Sequence, residues 1–217
     1  MPNWSRSPIP TLLRDARRLY TNIKGDAEIA AQMALYKYPE SRIDEGLTLV
    51  ADVEEDSQTY GAEKADATQA TGQVQAATTD VETAYTGDRE MARTAYARGS
   101  DGYQALGLRG DAPDARAAIF AAAKDFYGTL QARPDLIEPI PGLTPDAVTE
   151  RLAAVTAAET ADVAQAAEGG EAEVASDERK EAVAALREHA SKTARVAKGA
   201  LKDRPQLREK LGLLERS

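Results

Sequence analysis

The only imidazole among the 217 residues is His189, in the stretch Arg187-Glu188-His189. A catalytic histidine pair or a two-histidine metal site is therefore excluded within this chain. The Glu-x-x-His motif that a ferritin-like di-iron bundle repeats on two helices is also missing. There is no cysteine, hence no disulfide framework and no thiolate or Cys-based zinc chemistry. Two carboxylate groups, Asp52-Val53-Glu54-Glu55-Asp56 and Glu168-Gly169-Gly170-Glu171, have the oxygens a hard cation needs, but loop ligands at calcium-site spacing do not appear. The run Gly107-Leu108-Arg109-Gly110-Asp111 lacks the strand, Lys and Ser/Thr of a phosphate loop. His189 is expected to be a partly exposed helix residue and the acids a solvated face. No enzyme activity, cofactor or metal is expected.

The elements that carry these residues are long. Between Pro39 and Gly99, and again from Asp146 to Arg204, no proline occurs, and both runs are filled with Ala, Glu, Asp, Lys, Gln and Thr. Globular helices usually stop by about 20 residues, so runs near 60 imply coiled-coil-like helices or a helical array. Val53, Tyr60, Ala67, Val74 and Val81 recur every seven residues. Ala70, Ala77, Ala84 and Met91 form a second row three places on, together a weak heptad seam. Gly46, Gly61, Gly72 and Gly87 interrupt it, and Gly72 is the expected bend. In the second run Leu152, Val163, Val174, Ala185 and Val196 recur every eleven residues, about 3.67 per turn, which predicts a nearly straight helix. Thr144-Pro145-Asp146 reads as its N-cap, first-turn proline and first-turn acid.

Shorter elements flank the two runs. Trp4 to Pro10 reads as an extended arm because Pro8 and Pro10 disfavour helix in their predecessors. Thr11 is then the expected cap of a helix over Leu12 to Ile23. A second helix, Asp26 to Tyr38, lines up Ile29, Met33 and Tyr36. Gly99 to Asp114 reads as a loop, Ala115 to Arg133 as a helix with an apolar face of Ile119, Phe120, Ala123, Phe126, Tyr127 and Leu130, and Asp203 to Leu213 as a last short helix. The fold class is all-α: an elongated antiparallel pair of long helices with three to four short packing helices. In this pairing facing residue numbers sum to about 240. The alternative is a compact up-down four-helix bundle broken near Gly72 and Gly169. The chain divides as 1–38, an arm with short helices, and 39–217, the hairpin with connecting helix 115–133 and a C-terminal short helix.

Composition sets the scale of the core. Of the residues counted as hydrophobic, 42% of the chain, 43 are alanine, and aromatics make up only 5%. Small side chains suit helices whose axes approach closely. No segment reaches the ~18 continuous apolar residues of a membrane span, and the first residues show no apolar signal core, so a cytoplasmic protein is expected. The net charge of −9 is uneven: residues 1–25 hold five Lys/Arg and one acid, residues 187–217 nine Lys/Arg and four acids, and the middle carries −18. Antiparallel pairing brings both basic segments to one end, a cationic pole able to dock on something anionic.

The closing stretch Ala200-Leu201-Lys202-Asp203-Arg204-Pro205-Gln206-Leu207, then Glu209, Leu211 and Gly212, resembles the tail of a set of uncharacterised bacterial all-α helical-bundle proteins in which a basic helix ends in an LKDRPQLxExLG stretch; Gly142-Leu143-Thr144-Pro145 is similar too. The resemblance covers about 30 residues. It implies a helical fold and transfers no site. From the residues alone, Leu207, Leu211 and Leu214 are expected to fold back on the helices while Arg195, Lys198, Lys202, Arg204 and Arg208 stay wet. The resulting expectation is a non-enzymatic structural or scaffolding protein acting through helix-helix contacts as a homo-oligomer, with Trp4 as a clasp on a neighbour. The alternative is a binding module whose pole of Arg195, Lys198, Lys202, Arg204 and Arg208 grips nucleic acid or an anionic membrane.

Overall fold

Every regular element of the computed structural model, which describes residues 4–213, is helical: α1 Ile9–Gly25, α2 Ala27–Leu35, α3 Glu40–Ala95, α4 Asp101–Ala105, α5 Arg116–Ala132, a 3-10 turn Pro134–Leu136, α6 Pro145–Ala200 and α7 Pro205–Lys210. The all-α fold class is as the sequence implied. Among the described residues no helix is long and apolar enough to cross a membrane.

The two long helices begin where proline chemistry places them. Pro39 precedes α3, and Pro145 opens α6, with the Thr144 hydroxyl accepting from the Ala147 N–H at 3.2 Å. Both then run 56 residues, through Gly61, Gly72 and Gly87 in α3 and Gly169-Gly170 in α6, without a break. Helix α3 is unbroken at Gly72. α1 also corrects the sequence reading: it starts at Ile9, with Pro8 in the N-cap position and Pro10 in the first turn. The first N–H groups of a helix have no internal acceptor, so prolines there cost nothing and open the helix early. Thr11 lies inside α1 and caps nothing. The reading of Gly99 to Asp114 as loop missed α4, which Ser100 caps by accepting from the Tyr103 N–H.

The chain gathers into two compact units, Met1–Lys64 with Glu171–Ser217, and Ala65–Gly170. In each, a length of α3 packs against a length of α6 running the other way. Facing partners in the first unit are Glu45 with His189 and Tyr60 with Arg179. In the second they are Thr71 with Gln165 and Asp88 with Arg151. Each pair of residue numbers sums to about 240.

In the first unit α1 and α2 bury Leu12, Ala16, Leu19, Tyr20, Ile23, Ile29 and Met33 against Val50 and Val53 of α3 and Leu186, Ala190 and Ala197 of α6. Leu207, Leu211 and Leu213 close the same core, while Leu214 lies outside the described residues. In the second unit the aromatic face expected of α5 is the core: Phe126 stands edge-on to both Tyr85 and Tyr127, with centroids 5.7 and 5.2 Å away.

The seam rows differ from the sequence reading. The heptad row through Val53, Val74 and Val81 is buried, but its partner row lies four places on, at Val50, Thr78, Tyr85 and Ala92, and Met91 is exposed. In α6 the eleven-residue row packs on the cores only at its ends, Leu152 and Val196, while between them Val163 is 73% and Val174 58% exposed. Inward positions include Val155, Ala158, Ala175, Leu186 and Thr193.

Gly46 has a specific reason to be glycine. A Cβ there would lie 2.4 Å from two carbons of the Tyr20 ring, and Tyr20 is fully buried and cannot swing aside. Gly46→Ala should therefore destabilise the fold by about 1–3 kcal/mol. At Gly61, Gly72 and Gly87 a Cβ meets nothing within 4 Å, so alanine there should stabilise by up to ~1 kcal/mol each. Urea unfolding of the four variants checks both signs.

Candidate functional site

The cations expected to form a pole all belong to the first unit, where carboxylates neutralise several cations, Arg204 of the expected five among them. Carboxylates of α2 and α3 take four of them: Arg17 pairs with Glu54 at 2.5 Å, Lys24 with Asp44 at 2.5 Å, Lys210 with Asp26 at 3.0 Å, and Arg204 with Glu28. Lys210, followed by the N–H of Ile29, holds the Asp26 carboxyl below its ordinary range. Such exposed pairs add little to stability, but they remove those charges from any docking surface. Arg195, Lys198, Lys202 and Arg208 have no carboxylate within 4 Å among the described residues. Arg195 and Lys202 are exposed, Lys198 and Arg208 half-buried, and the Nε of Arg208 is enclosed without a hydrogen-bond partner.

Trp4 is not the exposed clasp the sequence suggested. It is only 9% exposed and belongs to the core that α1, α6 and α7 share. Residues 4–6, read from the sequence as part of an extended arm, form a turn ahead of α1, and the indole packs into the first unit's core.

His189 lies on α6 and is partly exposed, as the sequence implied, its side chain 11% exposed. Burial pushes its pKa below 6.5. The Tyr20 hydroxyl lies 2.8 Å from Nδ1, and Nε2 faces Glu45 Oε2 at 3.8 Å. A proton on Nε2 suits the carboxylate opposite, so Nδ1 accepts and Tyr20 donates. Burial drives the Tyr20 phenol far above its usual range, which keeps that proton in place. Beside it, the Thr193 hydroxyl donates to the His189 carbonyl at 2.9 Å, and Tyr38 donates to Thr193 at 2.5 Å. Glu45, His189 and Tyr20 have the outline of an acid-imidazole-hydroxyl relay. Tyr20 is fully buried, however, and its ring lies against Gly46, so its oxygen meets no substrate. The cluster ties α1, α3 and α6 together. The sequence signal for it was a glycine in α3 at the level of the lone histidine, a position that admits an aromatic ring.

In the second unit, Arg89 is 3% exposed and aims Nη2 at the carbonyls of Gly107, Arg109 and Gly110, at 3.4, 3.4 and 3.1 Å. Arg93 donates to the Leu108 carbonyl at 3.1 Å and to that of Gly110. The Gly107–Asp111 run that lacked phosphate-loop chemistry is thus a loop held by its carbonyls. It borders an open cleft of about 1080 Å³ with Arg98, Tyr103 and Gln104. Burial, then Asp88, drives the Tyr127 phenol far above its usual range; its hydroxyl donates to Asp88 at 2.8 Å.

Comparison with known protein families, with curated proteins and with solved structures gave no match.

The His189 geometry fixes a sign. The folded state holds the imidazole proton more weakly than the unfolded chain does, so unfolding takes up a proton below about pH 6.5. Stability therefore falls as pH drops through that value, and the effect is absent well above it. Glu45 opposes the shift, while Arg42 and Lys192 reinforce it. His189→Gln, which can still accept from Tyr20, should flatten the pH dependence between about pH 5 and 7; urea midpoints measured across that range check it.

Proposed function

We propose that this protein is a non-enzymatic, cytoplasmic scaffold that works by helix-helix contact and self-associates through α6. The carrying observation lies in the second unit. Ala153, Ala157, Thr160, Ala164 and Ala167 follow one another at spacings of four, three, four and three, and all are exposed. Beside them Val163 is 73% exposed. No charged residue interrupts this row, although charged residues make up 29% of the chain.

Such a row repeats every 3.5 residues, the spacing of a coiled-coil seam. Its small side chains let a second helix approach at the short end of the 8–10 Å range of interaxial distances. The one hydroxyl in the row is already satisfied, because Thr160 donates to the Thr156 carbonyl at 2.9 Å, so covering it strands no polar group. A second copy offering the same row makes a self-complementary twofold interface. Val163 is then the largest apolar group at its edge. The N-terminal segment has no part in this reading, since Trp4 is spent inside the first unit's core.

Sedimentation equilibrium at physiological salt tests it. The protein should show concentration-dependent dimers. Ala157→Glu with Ala164→Glu should weaken association at least tenfold while leaving helicity unchanged, since both positions are exposed and glutamate is a good helix former. Because the chain has no cysteine, Ala164→Cys gives a single thiol that should cross-link two copies on oxidation. A wild-type monomer at high micromolar concentration would sink the proposal.

A further inference from the structure

Leu35 and Tyr36, at the end of α2, are 75% and 53% exposed, the only adjacent pair of large apolar side chains left in water among the described residues. The sequence placed Tyr36 on the buried side with Ile29 and Met33. Because α2 stops at Leu35, the chain turns there instead, and Lys37 adopts a left-handed conformation with φ 57°. That turn lays the Tyr36 ring over Gly199 of α6, where a Cβ would lie 3.8 Å from the ring.

Gly199 sits between two cations. Arg195 is one turn back on the same face of α6, and Lys202 lies in the turn that closes the helix, its N–H on the Gly199 carbonyl at 3.4 Å. Lys37 follows Tyr36 directly. None of the three has a carboxylate within 4 Å among the described residues, whereas Glu28, the one acid on α2, is engaged by Arg204. The tip thus sets an exposed leucine and tyrosine beside three unpaired cations, Lys37, Arg195 and Lys202, with Glu40 and Asp203 the acids that follow in the sequence.

From this juxtaposition we propose that the end of α2, with the last turns of α6, docks the protein on an anionic lipid surface. Leu35 enters the acyl boundary, Tyr36 sits at the headgroup level that tyrosine favours, and Lys37, Arg195 and Lys202 meet lipid phosphates. A single-stranded nucleic acid would use the tyrosine for stacking and the cations for phosphates, but it gives a 75% exposed leucine no role. This surface is separate from the α6 row of the second unit and stands without it.

The test uses the full chain with vesicles of neutral lipid alone and of neutral lipid mixed with phosphatidylglycerol. The protein should co-sediment with the anionic vesicles only and come off as salt is raised. Leu35→Ser with Tyr36→Ser, and Arg195→Gln with Lys202→Gln, should each reduce binding at least tenfold, with melting curves showing both variants folded. Leu35→Cys carrying an environment-sensitive fluorophore should shift to the blue on anionic vesicles. No co-sedimentation, or wild-type binding by both folded variants, would overturn the proposal. Tighter binding to a single-stranded oligonucleotide than to vesicles, lost in the same variants, would also overturn it and assign the tip to nucleic acid.

Discussion

Two long helices lined with alanine and threonine cannot by themselves bury enough apolar surface to stay together. Burying a whole leucine or phenylalanine side chain contributes about 1.5–3 kcal/mol, and an alanine methyl much less. Each unit answers by bringing large side chains from short helices onto the thin seam. In the first, α1 and α2 supply Leu12, Leu19, Tyr20, Ile23, Ile29 and Met33. In the second, α5 and the turns after it supply Ile119, Phe120, Phe126, Tyr127, Leu130, Leu136, Ile137 and Ile140. The short helices hold most of the bulk of the cores, while α3 and α6 provide the small-residue floor on which it packs.

A thin seam also leaves register weakly specified, since one alanine is much like the next. Buried polar groups and ring-on-glycine contacts supply what the alanines lack. Tyr20 fits only over Gly46 and donates only where His189 presents Nδ1. The second unit repeats the device: a Cβ at Gly102 would lie 2.3 Å from the Tyr96 ring, and the Tyr96 hydroxyl donates to the Leu136 carbonyl at 2.8 Å. Sliding the Tyr20 contact by one residue would bury a donor without an acceptor, which costs about 1–3 kcal/mol. The Tyr20 contact thus restricts how α1, α3 and α6 can be aligned, and the Tyr96 contact ties the end of α3 to α4 and the 3-10 turn.

The helices were legible in the sequence because proline and capping residues mark their starts chemically, and Thr144-Pro145-Asp146 did so at α6. The inward rows were less so. The α6 periodicity was read largely from valines, yet Val163 and Val174 face water while Ala158, Ala175 and Thr193 face in. In an alanine-rich helix, burial follows which face the neighbour covers, and side-chain size is a poor guide to it. α4 was hidden because five residues hold too little periodicity to register. Of the candidate binding residues, the exposure of Arg195 and Lys202 was legible from their positions on a basic helix, whereas the burial of Trp4 depends on where α1 begins. The exposed pair at Leu35 and Tyr36 depends on where α2 ends.

Charge separates the two proposed surfaces. The second unit holds 16 acids and eight bases, a net −8, while the first holds 20 and 19, a net −1. Two copies meeting through the α6 row must bring two charges of −8 together, and that repulsion is screened over a Debye length of about 10 Å at 0.1 M salt. Added salt should therefore strengthen self-association. At the α2 tip the attraction between lysine or arginine and lipid phosphate is screened by the same ions, so added salt should weaken docking there. One titration with sodium chloride, read once by sedimentation and once by vesicle binding, should move the two in opposite directions. A common direction would mean that one of the surfaces is assigned to the wrong kind of contact, because the row contains no charge to lose and the tip meets lipid phosphates through its cations.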